Sequence, residues 1–512
     1  MRKLSLLFTF LNFFLFVGSA SATTYYISYS SGSNANNGTS ESTPWKTHPF
    51  MQSATACTGS GSAPNYSHSA GDQFVFKQGD SWPNACFDMA IQSGGSAGNP
   101  DVYTFDPAWG TPGGTTGNAG QPVGTYQFNA GGAAIHGSDG FNRFIAVNTS
   151  NVTLNGIEFT GITWTGSPSY GNVQGIYVGG STNVTISKIY AHNWTHGGAT
   201  SDTLSWVVGY AGNPYNAGDR VTGSVFDGAG ASDSGEAVYL IPNLDNNIVR
   251  NMSNGLLPNA NAVVHDNQVG PINKSFDASD HENCFEPVGL FPGFTSTNYF
   301  YNNVWHDCYA VGILTQGGAS SSGVEIDYIW NNVAYTGNVA TIPLQFDSVS
   351  TSNSSSQIHA WNNTIYGGSS LPCMRTVSRG NGNFGILDIQ NNHCISDSSV
   401  ISLGVGGNIY TNNNNLLTAS ATASSLGFTS SETFAYSPTS SSSPTIGAGA
   451  NLSVLALVAT LSLDADTTFG GVRSTLLRPL LGAWDVGAYQ FSGSVSTTKP
   501  APPTGVQVIK VQ

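Results

Sequence analysis

A repeat with a fixed period constrains the folding of this 512-residue chain more than any other feature. Its clearest copies share a pair of Asn residues: YNNVWHDC (301–308), WNNVAYTG (330–337), WNNTIYGG (361–368) and QNNHCISD (390–397). The second Asn of each pair is residue 303, 332, 363 or 392, so successive copies lie 29, 31 and 29 residues apart. A period of this length, with one strand–turn–strand unit per copy, is typical of a solenoid.

Looser copies extend the repeat in both directions. They are TLNGIEFTG (153–161), TISKIYAHN (185–193), VTGSVFDGA (221–229), IVRNMSNG (248–255) and IYTNNNNLL (409–417). In a solenoid, each coil packs on the coils above and below it. We therefore predict that Asn303, Asn332, Asn363 and Asn392 stack at one bend with their amides bonded to the next coil. Their role is then structural.

The composition agrees with strands rather than helices. Helix formers such as Lys, Arg, Glu and Met are scarce, whereas Gly, Ser, Thr and Asn dominate. Turns favour Asn and Gly, and strands favour β-branched and aromatic residues. A hydrophobic content of 39% with 11% aromatic residues argues against disorder. The chain is thus expected to be all-β.

Several segments resemble the right-handed parallel β-helix superfamily, the pectate-lyase-like fold. TTYYISYSSGSNANNGTSESTPWKT (23–47) is similar to the opening segment of many secreted members, and GDQFVFKQGDSW (71–82) is similar to their first full coil. SPTIGAGANL (443–452) and RPLLGAWDVGAYQF (478–491) resemble the closing segment of bacterial members. The resemblance implies one right-handed parallel β-helix of roughly ten coils over residues 23–492, with an N-terminal cap. It does not imply one activity, because the superfamily contains polysaccharide lyases, glycoside hydrolases, epimerases and non-catalytic surface proteins.

The two ends of the chain differ from the repeat. Residues 1–22 have the pattern of a secretory signal: Arg2 and Lys3 precede an apolar run from Leu4 to Val17, and small residues follow. We expect export to a secreted or cell-surface location. The run is short for a bilayer span and no other stretch resembles one, so no transmembrane segment is expected. Residues 493–512 are Pro/Thr-rich at first and are expected to be a linker or tether stub.

The six cysteines form three pairs that are local in sequence. The pairs are Cys57 and Cys86, Cys284 and Cys308, and Cys373 and Cys394. An exported chain can form disulfides, although six cysteines allow 15 connectivities. The second and third pairs are separated by about one repeat, so we predict that each bridges adjacent coils. The first pair should fasten the N-terminal cap.

The charge balance restricts the partners. The formal net charge is −14, which argues against nucleic acid or an anionic membrane surface. Only 15 residues are Lys or Arg, fewer than expected for an enzyme that grips a densely anionic polymer. We expect a monomer that acts on a neutral or weakly charged polysaccharide.

One stretch concentrates charge in a chain that is only 9% charged: NKSFDASDHENCFEP, residues 273–287. Its titratable residues are Lys274, Asp277, Asp280, His281, Glu282 and Glu286. Stacking the coils on the Asn pairs places further polar residues beside it. The prediction puts Glu286, Gln316, Gln345 and Arg375 in one outward column, Asp347 and Arg379 near a second column, and His306 and Asp307 on the consecutive coil. A groove across these coils is the predicted site.

Two chemistries fit these residues. Hydrolysis needs a carboxylic acid and a carboxylate, and Glu286 with Asp280 is the first candidate pair; Glu282, Asp277 and Asp307 are further carboxylates. β-Elimination on a uronic acid needs a base and a cation. Lys274, Arg375 or Arg379 could be that base, and Asp277, Asp280 and Glu282 form a candidate calcium site.

The predicted roles can be stated residue by residue. The catalytic candidates are Glu286, Asp280, Glu282, His281, Arg375 and Lys274, and the substrate-binding candidates are Gln316, Gln345, Asp347, Arg379, His306 and Asp307. The motifs of polygalacturonases and pectate lyases are not reproduced, so no family residue is carried over. We favour hydrolysis over elimination. A non-catalytic glycan-binding or adhesin protein is the third reading.

Overall fold

A computed structural model describes most of the chain between residues 21 and 492. The residues that it does not describe in this range are 53, 59–60, 112–124, 134–141, 165–171, 197–202, 211–217, 229–234, 274–281, 289–292, 317–322, 336–341, 349–354, 380–381, 430–434 and 456–461. The tail and nearly all of the predicted signal lie outside the described residues.

Three parallel sheets form the molecule, and within a coil the chain passes through sheet 1, then sheet 2, then sheet 3. The 13 strands of sheet 1 are Thr24–Ile27, Gln73–Gln78, Asp101–Gly110, Val152–Asn155, Val184–Ser187, Arg220–Thr222, Asn243–Asp245, Val263–His265, Thr295–Tyr301, Val324–Trp330, Gln357–Trp361, Phe384–Gln390 and Gly407–Asn413.

Sheet 2 follows sheet 1 in every coil after the first. Its strands are Ser81–Pro83, Tyr126–Ala133, Ile157–Trp164, Tyr190–His192, Val225–Asp227, Ile248–Arg250, Gln268–Val269, Val304–His306, Val333–Tyr335, Thr364–Gly368, His393–Ser396 and Leu416–Thr418, with Thr195–His196 beside the main path.

Sheet 3 consists of a six-stranded part and a four-stranded part. Their strands are Met89–Ile91, Asn142–Val147, Asn172–Val178, Thr203–Gly209, Glu236–Tyr239 and Asn254–Leu257, and then Val311–Thr315, Ile342–Ser348, Met374–Ser378 and Ile401–Leu403. Phe285 joins the parts by bridging to Leu256 and Ile313. In the described chain, helical structure is limited to Ala54–Thr58 and short 3-10 turns at Asn84–Cys86, Ser420–Thr422, Ser424–Leu426 and Leu452–Val454.

All pairings between these strands are parallel, so the chain folds as a parallel β-helix and the predicted fold class is confirmed. Thirteen strands in sheet 1 exceed the roughly ten coils predicted, and that coil number is not confirmed. The interior is apolar. In sheet 3, Leu256, Phe285, Ile313, Leu344 and Met374 lie in register and are fully buried. Burial of each such side chain contributes about 2 kcal/mol.

The predicted Asn ladder is present at the bend between sheets 1 and 2. The Nδ2 of Asn303 donates to Oδ1 of Asn332 (3.1 Å), Asn332 donates to Asn363 (3.0 Å), and Asn363 donates to Asn392 (2.9 Å). The ladder is longer than predicted, since Asn247 and Asn267 precede it and Asn415 follows it. Each buried amide is satisfied by the next coil, which is why one residue type recurs here.

The first Asn of each pair has a different role. Asn331, Asn362 and Asn391 adopt left-handed backbone conformations, which Asn tolerates better than most residues. Their side-chain amides donate to backbone oxygens of the closing segment, residues 435–455 and 462–492: to Ala465 (2.8 Å), Asp485 (3.2 Å) and Ala450 (2.8 Å), respectively. In each pair, the second Asn therefore joins adjacent coils and the first Asn binds the closing segment.

The three disulfides pair as predicted. Cys284 bonds to Cys308 and Cys373 to Cys394, with Cα atoms 5.6 and 5.9 Å apart. Cys57 bonds to Cys86 and connects the helix Ala54–Thr58 to a 3-10 turn near the N-terminal end. Cys284 directly precedes Phe285, so its disulfide restrains sheet 3 where the sheet passes between its two parts.

Candidate functional site

The outer face of sheet 3 carries two rows of polar residues. The first row contains Arg143, Gln174, Ser205, Glu236 and Asn254, which pair in register from strand to strand. The Oγ of Ser205 donates to Oε2 of Glu236 (2.6 Å). The first four members lie 31 residues apart in each case, and this constant spacing is the signal by which Glu236 could have been found from the sequence.

The second row lies further along the same strands. Tyr239 pairs with Leu257, and Leu314 with Gln345 and then Arg375. Glu286 belongs between Leu257 and Leu314, because Phe285 bridges the residues that precede these two. The predicted outward alignment of Glu286, Gln345 and Arg375 is therefore confirmed as geometry.

Gln316 is the exception to the predicted column. Leu314 occupies the register between Glu286 and Gln345, and Gln316 lies two residues further along the chain. The alignment was wrong by two residues, which leaves the side chain on the same face because side chains alternate with a period of two. Gln316 still reaches the site, since its Nε2 donates to Oε1 of Glu286.

Glu286 is buried on the outer side of the coil. Its side chain is 2% exposed, while the preceding Phe285 is fully buried in the core. Nδ2 of Asn283 donates to its Oε2 (2.8 Å) and Gln316 donates to its Oε1. Both carboxylate oxygens thus accept amide hydrogen bonds, which fix the orientation of the carboxylate.

Tyr239 connects the two rows electrostatically. Burial raises the pKa of its phenol, and the carboxylates of Glu236 and Glu286 raise this pKa further. Tyr239 is therefore a neutral hydroxyl at physiological pH that lies within the field of both acids. A phenol between two carboxylates can donate a hydrogen bond to a ligand.

A second group of charged residues continues the row. Nε of Arg375 donates to Oε1 of Gln345 (2.6 Å), whose Nε2 donates to Oδ1 of Asp347 (2.6 Å). Nε of Arg379 in turn donates to the other oxygen of Asp347. We call the whole set the outer strip: Glu236, Tyr239, Asn283, Glu286, Gln316, Gln345, Asp347, Arg375 and Arg379.

Other predicted site residues lie elsewhere. Lys274, Asp277, Asp280 and His281 fall outside the described residues, so the Glu286–Asp280 pair and the calcium set remain predictions. Glu282 adopts a left-handed backbone conformation with φ of 49° and precedes the strip.

His306 is the last residue of a strand of sheet 2, and Asp307 follows it, so neither lies on sheet 3. Their side chains are 3.0 Å apart, and the ring of His306 stacks on that of Tyr335 with centroids 4.8 Å apart. The structure therefore places these two predicted binding residues on another face from the outer strip.

A cluster on the outer face of sheet 2 was missed in the sequence. Nε2 of His192 lies 2.8 Å from Oε1 of the fully buried Glu158, which also accepts from Gln127 (3.0 Å). The ring of Tyr190 stacks on His192 with centroids 4.2 Å apart.

Asp227 and Arg250 complete this sheet 2 cluster with an ion pair of 2.8 Å. The pKa of Tyr190 is raised by burial and by the carboxylate of Asp227, while Arg250 lowers it. The residues of this cluster differ from coil to coil, so no repeat in the sequence indicates them.

The described residues contain no group of three or more His, Cys, Asp or Glu side chains that could hold a metal ion. In the same part of the chain, no helix is long and apolar enough to cross a membrane.

Comparison with known proteins supplies no family. No protein-family model matches the chain, and no curated protein matches it. Among solved structures, a rhamnogalacturonan lyase is 13% identical with a TM-score of 0.39, covering 77% of this chain and 87% of its own. A GH136 lacto-N-biosidase from Eubacterium ramulus is 10% identical with a TM-score of 0.33, covering 78% and 68%.

An alginate lyase from Paenibacillus sp. str. FPU-7 is 12% identical with a TM-score of 0.32, covering 68% of this chain and 93% of its own. At such identities, a likeness concerns the fold. The activity has to be argued from the side chains of this chain.

Proposed function

We propose that the protein is an exported enzyme that hydrolyses glycosidic bonds of an extracellular polysaccharide at the outer strip of sheet 3. The observation that carries the proposal is the buried Glu286 carboxylate, held at both oxygens by Asn283 and Gln316 within a row of polar residues. Burying a carboxylate is costly unless it is hydrogen-bonded, and here amide donors hold both of its oxygens in place.

The direction of the strip suits a polymer. Successive coils present side chains about 4.8 Å apart along the axis of the helix. A glycan lying parallel to that axis meets a new coil at nearly every sugar ring. Extended substrates therefore fit this surface better than small ones.

Two of the carboxylates of the strip, Glu286 and Glu236, can take different roles. Hydrolysis by acid and base needs one protonated and one ionised carboxyl group. Glu286 is the candidate base or nucleophile, because two amide donors fix the position of both its carboxylate oxygens. Glu236 is the candidate proton donor among the described residues, since both it and Glu286 act on the pKa of Tyr239. Asp280 stays the predicted alternative.

Export is supported by two observations. The first is the signal-like pattern of residues 1–22. The second is that all six cysteines form disulfides, which persist in oxidising compartments.

The test is a screen of the purified protein on neutral and acidic polysaccharides. We expect new reducing ends without the ultraviolet absorbance of an unsaturated uronate. A glycan that binds without being cleaved would contradict the proposal and favour a non-catalytic binding protein.

The sheet 2 cluster supports a second candidate function, β-elimination on a uronic acid. Elimination removes the C5 proton, breaks the C4–O bond and forms a C4–C5 double bond. His192 could accept the C5 proton, the neutral Tyr190 hydroxyl could protonate the departing O4 oxygen, and Arg250 could neutralise the uronate. An unsaturated product that is lost in Tyr190→Phe but kept in Glu286→Gln would favour this alternative.

A further inference from the structure

Arg375 and Arg379 share an arrangement that sets them apart from the rest of the outer strip. Each guanidinium is fixed through Nε, Arg375 to Gln345 (2.6 Å) and Arg379 to Asp347. Neither makes another hydrogen bond to the described part of the chain, so their Nη groups are open. The side chain of Arg379 is 59% exposed, and Arg375 is partly exposed.

Fixing Nε while leaving the Nη groups open prepares a guanidinium for an anion. The planar fork binds carboxylate, sulfate or phosphate oxygens in pairs, and less side-chain entropy is lost because its orientation is already set. The supporting residues are themselves buried: Gln345 and Asp347 are each 2% exposed.

The charge of this region suits one anionic group rather than many. Asp347 offsets Arg379, and Gln345 is neutral, so the four side chains carry a net charge of about one positive unit at neutral pH. The chain as a whole carries −14, which would repel a densely charged polymer. A sparsely substituted glycan avoids that repulsion.

The distance to Glu286 locates the anionic group on the substrate. Three coil steps separate the level of Glu286 from that of Arg375, through Leu314 and Gln345. Three steps correspond to about 14 Å along the axis. We infer that Arg375 and Arg379 form an anion subsite that selects a glycan with a sparse carboxylate or sulfate group about three sugars from the cleaved bond.

This inference rests on the proposed function, and its experiment separates the two. The cleaved glycan is compared with its carboxyl-reduced and desulfated forms, for wild type, Arg375→Gln and Arg379→Gln. Arg220→Gln is the matched control, since Arg220 is also an exposed Arg paired with a buried Asp, but on sheet 1.

The expected result is a fall of about tenfold in the ratio of kcat/KM for the anionic over the neutral form in each strip variant, with no change of this ratio in Arg220→Gln. Sensitivity to carboxyl reduction identifies a carboxylate, and sensitivity to desulfation identifies a sulfate. An equal loss of kcat/KM on the anionic and the neutral glycan, or no loss on either, would overturn the inference. The proposal of hydrolysis would not be affected.

If wild type cleaves nothing, binding of uronate and sulfated oligosaccharides is measured by calorimetry. If binding weakens in Arg375→Gln and Arg379→Gln but not in Arg220→Gln, the anion subsite is supported and the proposed hydrolysis is contradicted. Absence of binding overturns the subsite too. Because Arg379 is exposed, its variant remains informative if Arg375→Gln does not fold.

Discussion

The bend between sheets 1 and 2 and the outer face of sheet 3 both stack polar residues from coil to coil, but with opposite chemistry. At the bend, each coil from Asn247 to Asn415 supplies the same neutral amide. On the outer strip the residue changes at every coil, and charged residues such as Glu286 and Arg375 enter the row.

The difference separates architecture from function. A ladder of identical amides satisfies each donor with the next acceptor, so repetition itself is stabilising. A buried charge needs dedicated partners and often contributes little net stability. The outer strip buries carboxylates such as Glu286 and Asp347, whose net contribution to stability is expected to be small, and this is the physical reason to place the chemistry there.

The largest expected effect tests the strip. Glu286→Gln should lower kcat by about 10²- to 10⁴-fold, because the amide cannot act as base or nucleophile. The thermal midpoint should stay nearly constant, since Gln retains the shape and the acceptor for Asn283. Glu41→Gln, at an exposed position near the N terminus, is the control for both quantities. Full activity in Glu286→Gln would remove Glu286 from the chemistry.

The next effect tests the ladder. Asn332→Ala removes the acceptor for the backbone N and Nδ2 of Asn303 and the donor to the backbone oxygen of Phe300. Several buried groups lose partners, so we expect a stability loss of about 3 kcal/mol or more. Thermal unfolding measures it against Asn415→Ala, at the more exposed end of the ladder. Turnover per folded molecule should not change; a stable variant with reduced turnover would reverse the assignment.

A third prediction concerns the pH dependence of stability, through an acid in the interior. Burial raises the pKa of Asp327 to about 7, although Nδ2 of Asn298 donates a hydrogen bond to its Oδ1 (2.9 Å). The unfolded chain releases this proton near its ordinary pKa of 3.8, whereas the folded chain retains it to about 7. The contribution of this group to stability is thus complete below about pH 4 and declines as pH rises to 7, by up to about 1.4 kcal/mol per pH unit.

Asp327→Asn should therefore flatten the dependence of the thermal midpoint on pH in this window. Asp397→Asn, at an exposed position, should leave the dependence as in wild type. If the slope persists in Asp327→Asn, another group produces it; Asp219, whose pKa burial raises to about 8, is the next to replace.

The sequence predicted best where identical residues recur. The ladder and the disulfides could be read because Asn332 and Cys284 have equivalents one coil away. Gln316 was misplaced because a shift of two residues changes no side chain from one face to the other, so the apolar pattern could not detect it. Glu236 was missed because its row changes residue type at every coil, although its spacing is regular.

The position of a bound oligosaccharide in a crystal structure of Glu286→Gln would show which face of the β-helix carries the chemistry. We expect a sugar chain along the outer strip of sheet 3, with the glycosidic oxygen within hydrogen-bond reach of position 286 and its far end toward Arg375 and Arg379. A chain bound over the sheet 2 cluster, beside Tyr190 and His192, would contradict it.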